Sequence, residues 1–143
     1  MTRAILICVL ACLVAAAAAQ ARPSPPQARL SVAVEPKLKA WADFDVTLTL
    51  TSAADDAAPD PEGVEIFLLA EDGNEVAQGL FILAGAPQVA GPKDRRATMA
   101  MKMRWDPYVV QHVATGKKYQ WVVSCKTKYG RVAGSTWFTL RPE

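Results

Sequence analysis

Alternating side chains in residues 119–126 constrain the fold of this chain more than any other feature. Aromatic, β-branched and cysteine side chains fall on every second position, and mostly polar residues lie between them. A period of two predicts a β-strand that is buried on one face. Gly116 and Gly130 mark turns before and after the stretch, and an extended pattern resumes over residues 132–140. The segment therefore predicts two consecutive strands joined by a tight turn.

Extended patterns also recur earlier in the chain. They cover residues 30–34, 44–50, 64–70, 75–83 (with a bend near Gly79) and 98–105. The dipeptide Asp72-Gly73 is a strong hairpin signal, and residues 52–63 and 84–96 are expected to be loops. No stretch after the N-terminal segment has a 3.6-residue apolar period, so little or no helix is expected. Strands separated by turns at this spacing predict an all-β, seven-stranded antiparallel sandwich.

A sequence motif in the last third of the chain adds a family resemblance. The spacing Val113-x-Thr115-Gly116-x-x-Tyr119 resembles the Leu-x-Pro-Gly-x-x-Tyr turn before the penultimate strand of fibronectin type III domains. Thr115 stands where that family prefers proline, and the second strand lacks the family's tryptophan. The resemblance implies an immunoglobulin-like or fibronectin-III-like sandwich, in which Tyr119 locks the turn as a tyrosine corner.

The N-terminal segment has the composition of a secretory signal peptide. Arg3 precedes an apolar run of about 16 residues, and Ala19 and Ala21 supply small residues for cleavage before Arg22. The run is short for a membrane span, so no stable span is expected after cleavage, and the protein would be secreted or periplasmic. Lipidation at Cys12 is the alternative, because residues 9–12 loosely resemble a bacterial lipobox.

Removal of residues 1–21 defines the expected domain organisation. Residues 22–29 are proline-rich and predict an extended spacer, and residues 30–143 form the predicted sandwich domain. This length suffices for one hydrophobic core. Cys125 is the cysteine that remains after cleavage, so no internal disulfide is expected, and its place on the inward face predicts a small buried core residue.

Charge is unevenly distributed along the chain. Residues 30–80 hold eleven acidic residues against two lysines, whereas residues 81–143 hold eleven basic residues against three acidic ones. Export and a net charge of +1 for residues 22–143 argue against nucleic acid as a partner. In sandwiches of this type the second strand lies beside the fifth and the third beside the sixth. We therefore expect Asp43 and Asp45 to face Lys102 and Arg104 across a sheet.

Two clusters have the composition of metal sites. Met99, Met101 and Met103 share one face of a strand, and soft thioethers with His112 could bind Cu(I). Because Trp105 lies on the same face, core packing is favoured for the methionines. Asp55, Asp56, Asp60 and Glu62 could bind Ca²⁺, but their spacing matches no EF-hand loop, so a solvated acidic loop is favoured.

Residues near two turns have the character of a contact surface. Tyr108 follows the methionine strand, and the last hairpin turn carries the other candidates, Lys126, Lys128, Tyr129 and Arg131. Loops at one end of such sandwiches bind partners in related proteins, and exposed tyrosines are enriched in binding surfaces. The hairpin turn is the preferred contact surface.

Catalytic motifs are missing from the sequence. The chain has one histidine and contains no Gly-x-Ser-x-Gly, His-Glu-x-x-His or glycine-rich phosphate loop. We therefore expect no enzyme and no cofactor, but an exported binding or structural module for a protein or a cell-surface polymer. The alternatives are a periplasmic-type copper-binding protein that uses the methionine strand and a loop-based protease inhibitor, the latter by fold analogy alone.

Overall fold

The computed structural model describes residues 27–39, 41–78 and 81–142. The predicted signal peptide and residues 22–26 of the spacer lie outside the described residues. The strands are β1 (Ala28–Ala33), β2 (Lys37–Lys39), β3 (Phe44–Ser52), β4 (Val64–Ala70), β5 (Glu75–Gln78), β6 (Phe81–Leu83), β7 (Gln88–Lys93), β8 (Arg96–Trp105), β9 (Lys118–Thr127) and β10 (Gly130–Arg141). One 3₁₀ turn (Pro61–Gly63) and one short helix, α1 (Pro107–Gln111), complete the elements described.

The strands form two sheets that pack face to face. The back sheet has the order β1-β3-β8, with β6 and β7 both paired to the far edge of β8. The front sheet has the order β2-β10-β9-β4-β5. Every pairing is antiparallel except that of β2 with β10. These are the strand orders of an immunoglobulin-like sandwich, so the predicted fold class is confirmed at that level.

Alternation along the long strands builds the core. In β3 and β8 the side chains of Leu48, Leu50 and Met99 have no exposed surface, while their neighbours point outward. Trp121 of β9 lies between the two sheets, with its ring centroid 5.4 Å from that of Phe44 and 6.0 Å from that of Phe138. Trp121, on the sixth of the predicted strands, thus fills the space between the two sheets.

The predicted strand neighbours are confirmed by the register. β3 pairs with β8 and β4 pairs with β9. Asp45 lies directly opposite Lys102, and Arg104 donates two hydrogen bonds of 3.0 Å to the Asp43 carboxylate. The hydrogen bond from Arg104 is the largest contribution that lowers the pKa of Asp43. These exposed pairs help to fix the register of the two strands. Their effect on the free energy of unfolding is small, because surface ion pairs contribute little to it.

Tyr119 forms the predicted tyrosine corner. This residue is buried, and its hydroxyl accepts a hydrogen bond of 2.8 Å from the backbone N–H of Ala114, five residues upstream. This contact closes the connection from α1 onto the start of β9. The motif seen in the sequence therefore has the geometry that the family resemblance implied.

We expect Tyr119→Phe to lower the free energy of unfolding by about 1–3 kcal/mol, because the Ala114 N–H loses its acceptor while the ring packing is kept. Urea denaturation measures this change, and Tyr108→Phe is the matched control because the ring of Tyr108 is 55% exposed. Equal stability of the two variants would remove the structural role assigned to the Tyr119 hydroxyl.

Several predicted boundaries are wrong. The count of seven strands is not confirmed, because the described residues form ten strand segments. Residues 75–83 do not form one strand: β5 pairs with β4 in the front sheet and β6 pairs with β8 in the back sheet. The bend predicted near Gly79 lies outside the described residues. The expected loop at residues 84–96 contains β7, and the first strand begins at Ala28 within the predicted spacer.

Strand β1 crosses closely over β10 at Gly134. A methyl group on Gly134 would lie 3.0 Å from the carbonyl carbon of Leu30 and 3.2 Å from Cγ2 of Val32. Contacts this short are tighter than ordinary packing allows, so the glycine lets the edge strand of the back sheet lie against the front sheet.

Candidate functional site

Three connections meet at one end of the sandwich. Residues 53–63 join β3 to β4, residues 94–95 join β7 to β8, and residues 128–129 join β9 to β10. The register places them together, because Thr51 at the end of β3 pairs with Arg96 at the start of β8, and Val64 pairs with Cys125 near the end of β9. We call this set of connections the loop end.

The β9–β10 turn is fixed by its own hydrogen bonds. The Thr127 hydroxyl donates to the carbonyl of Gly130 over 2.8 Å and accepts from the N–H of Tyr129 over 3.1 Å. Gly130 has a φ of +125°, which glycine adopts without strain. The sequence Thr-Lys-Tyr-Gly therefore forms a two-residue hairpin loop that presents Lys128 and Tyr129 to solvent.

Asp56 ties this turn to the β3–β4 loop. Its carboxylate accepts a hydrogen bond of 2.6 Å from the Tyr129 hydroxyl and one from the Lys128 ammonium. The bond from Lys128, and then the one from Tyr129, lowers the pKa of Asp56. In turn the Asp56 carboxylate raises the pKa of both Lys128 and Tyr129. One carboxylate thus holds two candidate contact residues from a position more than 70 residues away in the chain.

The raised pKa of Tyr129 gives a direct test of this contact. We expect Asp56→Asn to shift the Tyr129 titration to lower pH, because the carboxylate that accepts the phenol proton and opposes the tyrosinate charge is lost. NMR titration with ring-labelled tyrosine measures the shift. Asp55→Asn is the matched control, since Asp55 pairs with Arg95 instead. An unchanged Tyr129 titration in Asp56→Asn would exclude the contact in solution.

Arg131 braces the opposite side of the same turn. Its guanidinium donates to the Ser124 hydroxyl and to the carbonyl of Gly63, each over 3.0 Å, and lies 3.3 Å from the Glu65 carboxylate. The neighbouring Lys126 is exposed, and its carbonyl accepts a bond of 2.9 Å from the N–H of Asp60. Four of the five predicted contact residues are therefore brought together: Lys126, Lys128, Tyr129 and Arg131.

Tyr108 lies at the opposite end of the sandwich. It belongs to α1, whose first turn is capped by Asp106 through a bond of 2.8 Å to the Tyr108 N–H. Tyr108 is 55% exposed, and its ring packs against His112 at a tilt of 59°, with a centroid distance of 4.4 Å. Because β9 runs the length of the sandwich between α1 and the β9–β10 turn, Tyr108 does not share a surface with Tyr129.

The methionine strand packs into the core. Met99, Met101 and Met103 are 0%, 4% and 1% exposed, and Trp105 beside them is 2% exposed. His112, the fourth ligand of the copper alternative, is exposed on the connection after α1. This placement supports the interpretation of the three methionines as core residues, and no contact of the described residues favours Cu(I) binding.

Three of the four acidic residues of the β3–β4 loop are engaged separately. Asp55 pairs with Arg95 over 3.0 Å, Asp56 binds the β9–β10 turn, and Asp60 caps the 3₁₀ turn by accepting from the Glu62 N–H over 3.0 Å. Within the described ranges, no group of three or more His, Cys, Asp or Glu side chains is placed to hold a metal ion. The partners of Asp55 and Asp56 could not be predicted from the sequence, because Arg95 and Lys128 lie 40 and 72 residues away in the chain.

Cys125 lies where it was predicted, on the inward face of its strand. It is a free, buried thiol whose pKa is raised by burial, as expected of a core residue.

In the part of the chain that the structure describes, no helix has the length and apolar character needed to cross a membrane.

Comparison with known proteins gives structural similarity alone. No family model matches the chain, and no curated protein matches it. A cohesin module from a family 33 glycoside hydrolase of Clostridium perfringens is similar at 7% identity and a TM-score of 0.42, over 82% of this chain and 99% of that module. The CARDB domain of a Pyrococcus furiosus protein, solved with di-metal ions, is similar at 8% identity and a TM-score of 0.41, over 85% and 99% of the two chains. At these values the likeness is confined to the general arrangement of strands.

Proposed function

We propose that this chain is an exported, non-catalytic β-sandwich that binds a partner protein through the loop end. The observation that carries the proposal is the bridge from Asp56 to Lys128 and Tyr129. It joins two loops that are far apart in sequence and fixes the side chains that would make the contact.

Fixed side chains bind at lower entropic cost. Ordering a flexible side chain at an interface costs about 0.5–1.5 kcal/mol, and the bridge meets part of that cost in the free protein. Tyr129 keeps 38% of its surface exposed although its hydroxyl is bonded. A rigid tyrosine with an accessible ring is typical of residues that dominate binding energy.

The charge of the turn indicates the chemistry of the partner. Residues 126–131 contain two lysines and one arginine and no acidic residue. The side chains of Lys128 and Arg131 remain 52% and 41% exposed despite their ion pairs. These two cations are complementary to carboxylates on a partner protein, whereas the acidic side chains of the neighbouring β3–β4 loop would meet basic groups of the same partner.

Binding is tested with two tyrosine variants. The protein is expressed from the full chain, coupled to beads and incubated with the exported protein fraction of its native host. Tyr129→Ala is expected to weaken capture of a specific partner at least about tenfold, because a rigid anchor is lost. Tyr108→Ala, equally truncated and exposed at the opposite end, is expected to capture as well as the wild type.

Two outcomes would contradict the proposal. If Tyr129→Ala captures the partner as well as the wild type, the loop end is not the contact surface. If the captured component is a polysaccharide, the chemistry of the partner is different from the one proposed.

Export is tested separately by intact mass. Cleavage before Arg22 would give a chain that begins with the proline-rich residues 22–29. A lipidated N-terminal Cys12 would give a heavier, detergent-soluble product, and retention of residues 1–21 would contradict signal cleavage.

A further inference from the structure

The outer face of the front sheet has an uncharged centre. Alternation in β4, β9 and β10 turns six uncharged side chains outward between the charged ends of the strands, and we call these six the neutral centre: Phe67, Leu69, Gln120, Val122, Ser135 and Trp137. The row beyond them is charged, because the Arg131 guanidinium lies on the Ser124 hydroxyl and 3.3 Å from the Glu65 carboxylate. Four of the six side chains are large and apolar, and a partly exposed apolar cluster across three strands indicates a surface that is covered.

The outer face of the back sheet provides the contrast. Asp43, just before β3, Asp45 on β3, and Lys102 and Arg104 on β8 face solvent at one end of this sheet. The remaining outward residues between them and Arg96 are small and uncharged: Thr47, Thr49, Thr51, Thr98 and Ala100. Large apolar side chains on the outer face are therefore found on β4, β9 and β10 and not on β3 and β8.

Apolar side chains lie in register across the neutral centre. Trp137 of β10 pairs with Gln120 of β9, which pairs with Leu69 of β4. In the next row Val122 lies opposite Phe67. Trp137 is 40% exposed, and the Lys118 ammonium lies 4.8 Å from its ring centroid, a distance typical of a cation–π contact.

The two edges of this face carry opposite charges. On the β2 and β10 side, Lys37, Lys39 and Arg141 are exposed. On the β4 and β5 side, the exposed residues are Glu71 and Glu75. Leu38 is buried and Val76 packs against the core, so the adjacent Lys37 and Glu75 lie on the outer face.

We propose that the front sheet binds a second copy of this chain, face to face, about a two-fold axis along β9. Such an axis exchanges the two sides of the sheet while it keeps the position along the strands. The β10 side of one copy then covers the β4 side of the other. Trp137 meets the region of Leu69 and Phe67, and basic Lys37 comes within one outward row of acidic Glu75.

Like charges meet near the axis only at the two ends of β9. Lys118 and Lys126 lie at these ends, and the Lys118 ammonium reaches back to 4.8 Å from the Trp137 ring centroid. Packed sheets cross at about 30°, so the ends of the two β9 strands diverge, and the Lys118 ammonium can stay on the ring of its own copy.

The area of the face fits a weak, reversible dimer. Strands about 4.8 Å apart with about 3.3 Å per residue give the outer face roughly 600 Å². A standard interface covers about 800 Å² per partner, so we expect a dissociation constant on the order of 10 μM.

Sedimentation equilibrium across concentrations of the protein tests this dimer. The wild type is expected to be a monomer at low micromolar concentration and a dimer above about 100 μM. Trp137→Glu is expected to raise the dissociation constant at least about tenfold, because it places a charge in the neutral centre. Tyr129→Ala at the loop end is the control and is expected to dimerise as the wild type does.

A charge-exchange experiment tests the orientation. Glu75→Lys alone and Lys37→Glu alone are each expected to weaken self-association, because like charges then meet at the edges. In an equimolar mixture of these two variants, opposite charges meet again at both edges, so dimers should re-form between the variants. Both substitutions are exposed, and thermal unfolding confirms that each variant is folded.

The proposal is overturned by a wild type that stays monomeric to about 500 μM, a concentration far above the expected dissociation constant. It is also overturned by a dimer that Trp137→Glu leaves intact. Failure of the two edge variants to associate with each other would overturn the orientation and with it the assignment of this face.

Discussion

Replacing Trp121 with alanine is expected to lower the free energy of unfolding by about 3–5 kcal/mol. Trp121 is fully buried between the sheets and contacts Phe44 and Phe138, so truncation leaves a large cavity that the neighbouring strands cannot fill. For a domain of this size we expect the melting temperature to fall by on the order of 10–20 °C. Urea denaturation with far-UV circular dichroism measures the loss.

The chain contains its own control for this experiment. Trp137 is the same residue type on the adjacent strand, but it points away from the core and is 40% exposed. At a protein concentration that keeps the chain monomeric, Trp137→Ala is expected to cost less than about 1 kcal/mol. Similar losses for both variants would mean that Trp121 is not the centre of the core.

Gly134→Val is expected to be the second damaging substitution, with a loss of about 2–3 kcal/mol. The position faces inward on β10, where even a methyl group would press against the backbone of Leu30. The obstructing atoms belong to a strand backbone, so relief requires β1 to move away from β10. Urea denaturation measures the loss, and hydrogen exchange at Leu30 and Val32 would locate it.

Ala133→Val is the matched control for the glycine. The side chain of Ala133 points to the outer face of the same strand, and valine has a higher strand propensity than alanine. We expect a change within about 0.5 kcal/mol. A tolerated Gly134→Val would contradict the close crossing of β1 over β10.

Much of the fold could be predicted from the sequence because the long strands are half-buried. In β3 and β8 the period of two is nearly unbroken, and it fixes which face of each strand meets the core. The pairing of Asp43 with Arg104 follows from that register and from the strand order of such sandwiches. Tyr119 was predictable for a different reason, since the tyrosine corner is a local motif whose partner lies five residues away.

The missed elements carry no such pattern. Strand β7 is exposed at every position and contains Gly91 and Pro92, so neither periodicity nor propensity marks it as a strand. Strand β2 has three residues, which is too few to show alternation. Residues 75–83 show one extended pattern, and the sequence does not reveal that β5 and β6 pair in different sheets.

The candidate site was predicted in part. The sequence indicated Lys128 and Tyr129 because tight turns in sandwiches expose their side chains. It gave no sign of Asp56, because a contact between residues 56 and 129 depends on the packing of two loops and not on any local pattern. Tyr108 had the same sequence character as Tyr129, and the position of α1 at the other end separates the two.

The direction of β1 and β10 has a practical consequence. Ala28 pairs with Ser52, so the polypeptide enters the sandwich beside the loop end, whereas Arg141 pairs with Lys39 at the far end. An affinity tag or fluorescent label fused ahead of Gln27 would crowd Asp56 and Tyr129. The same tag fused after Pro142 would stand about 30 Å away and leave that surface open to ligands.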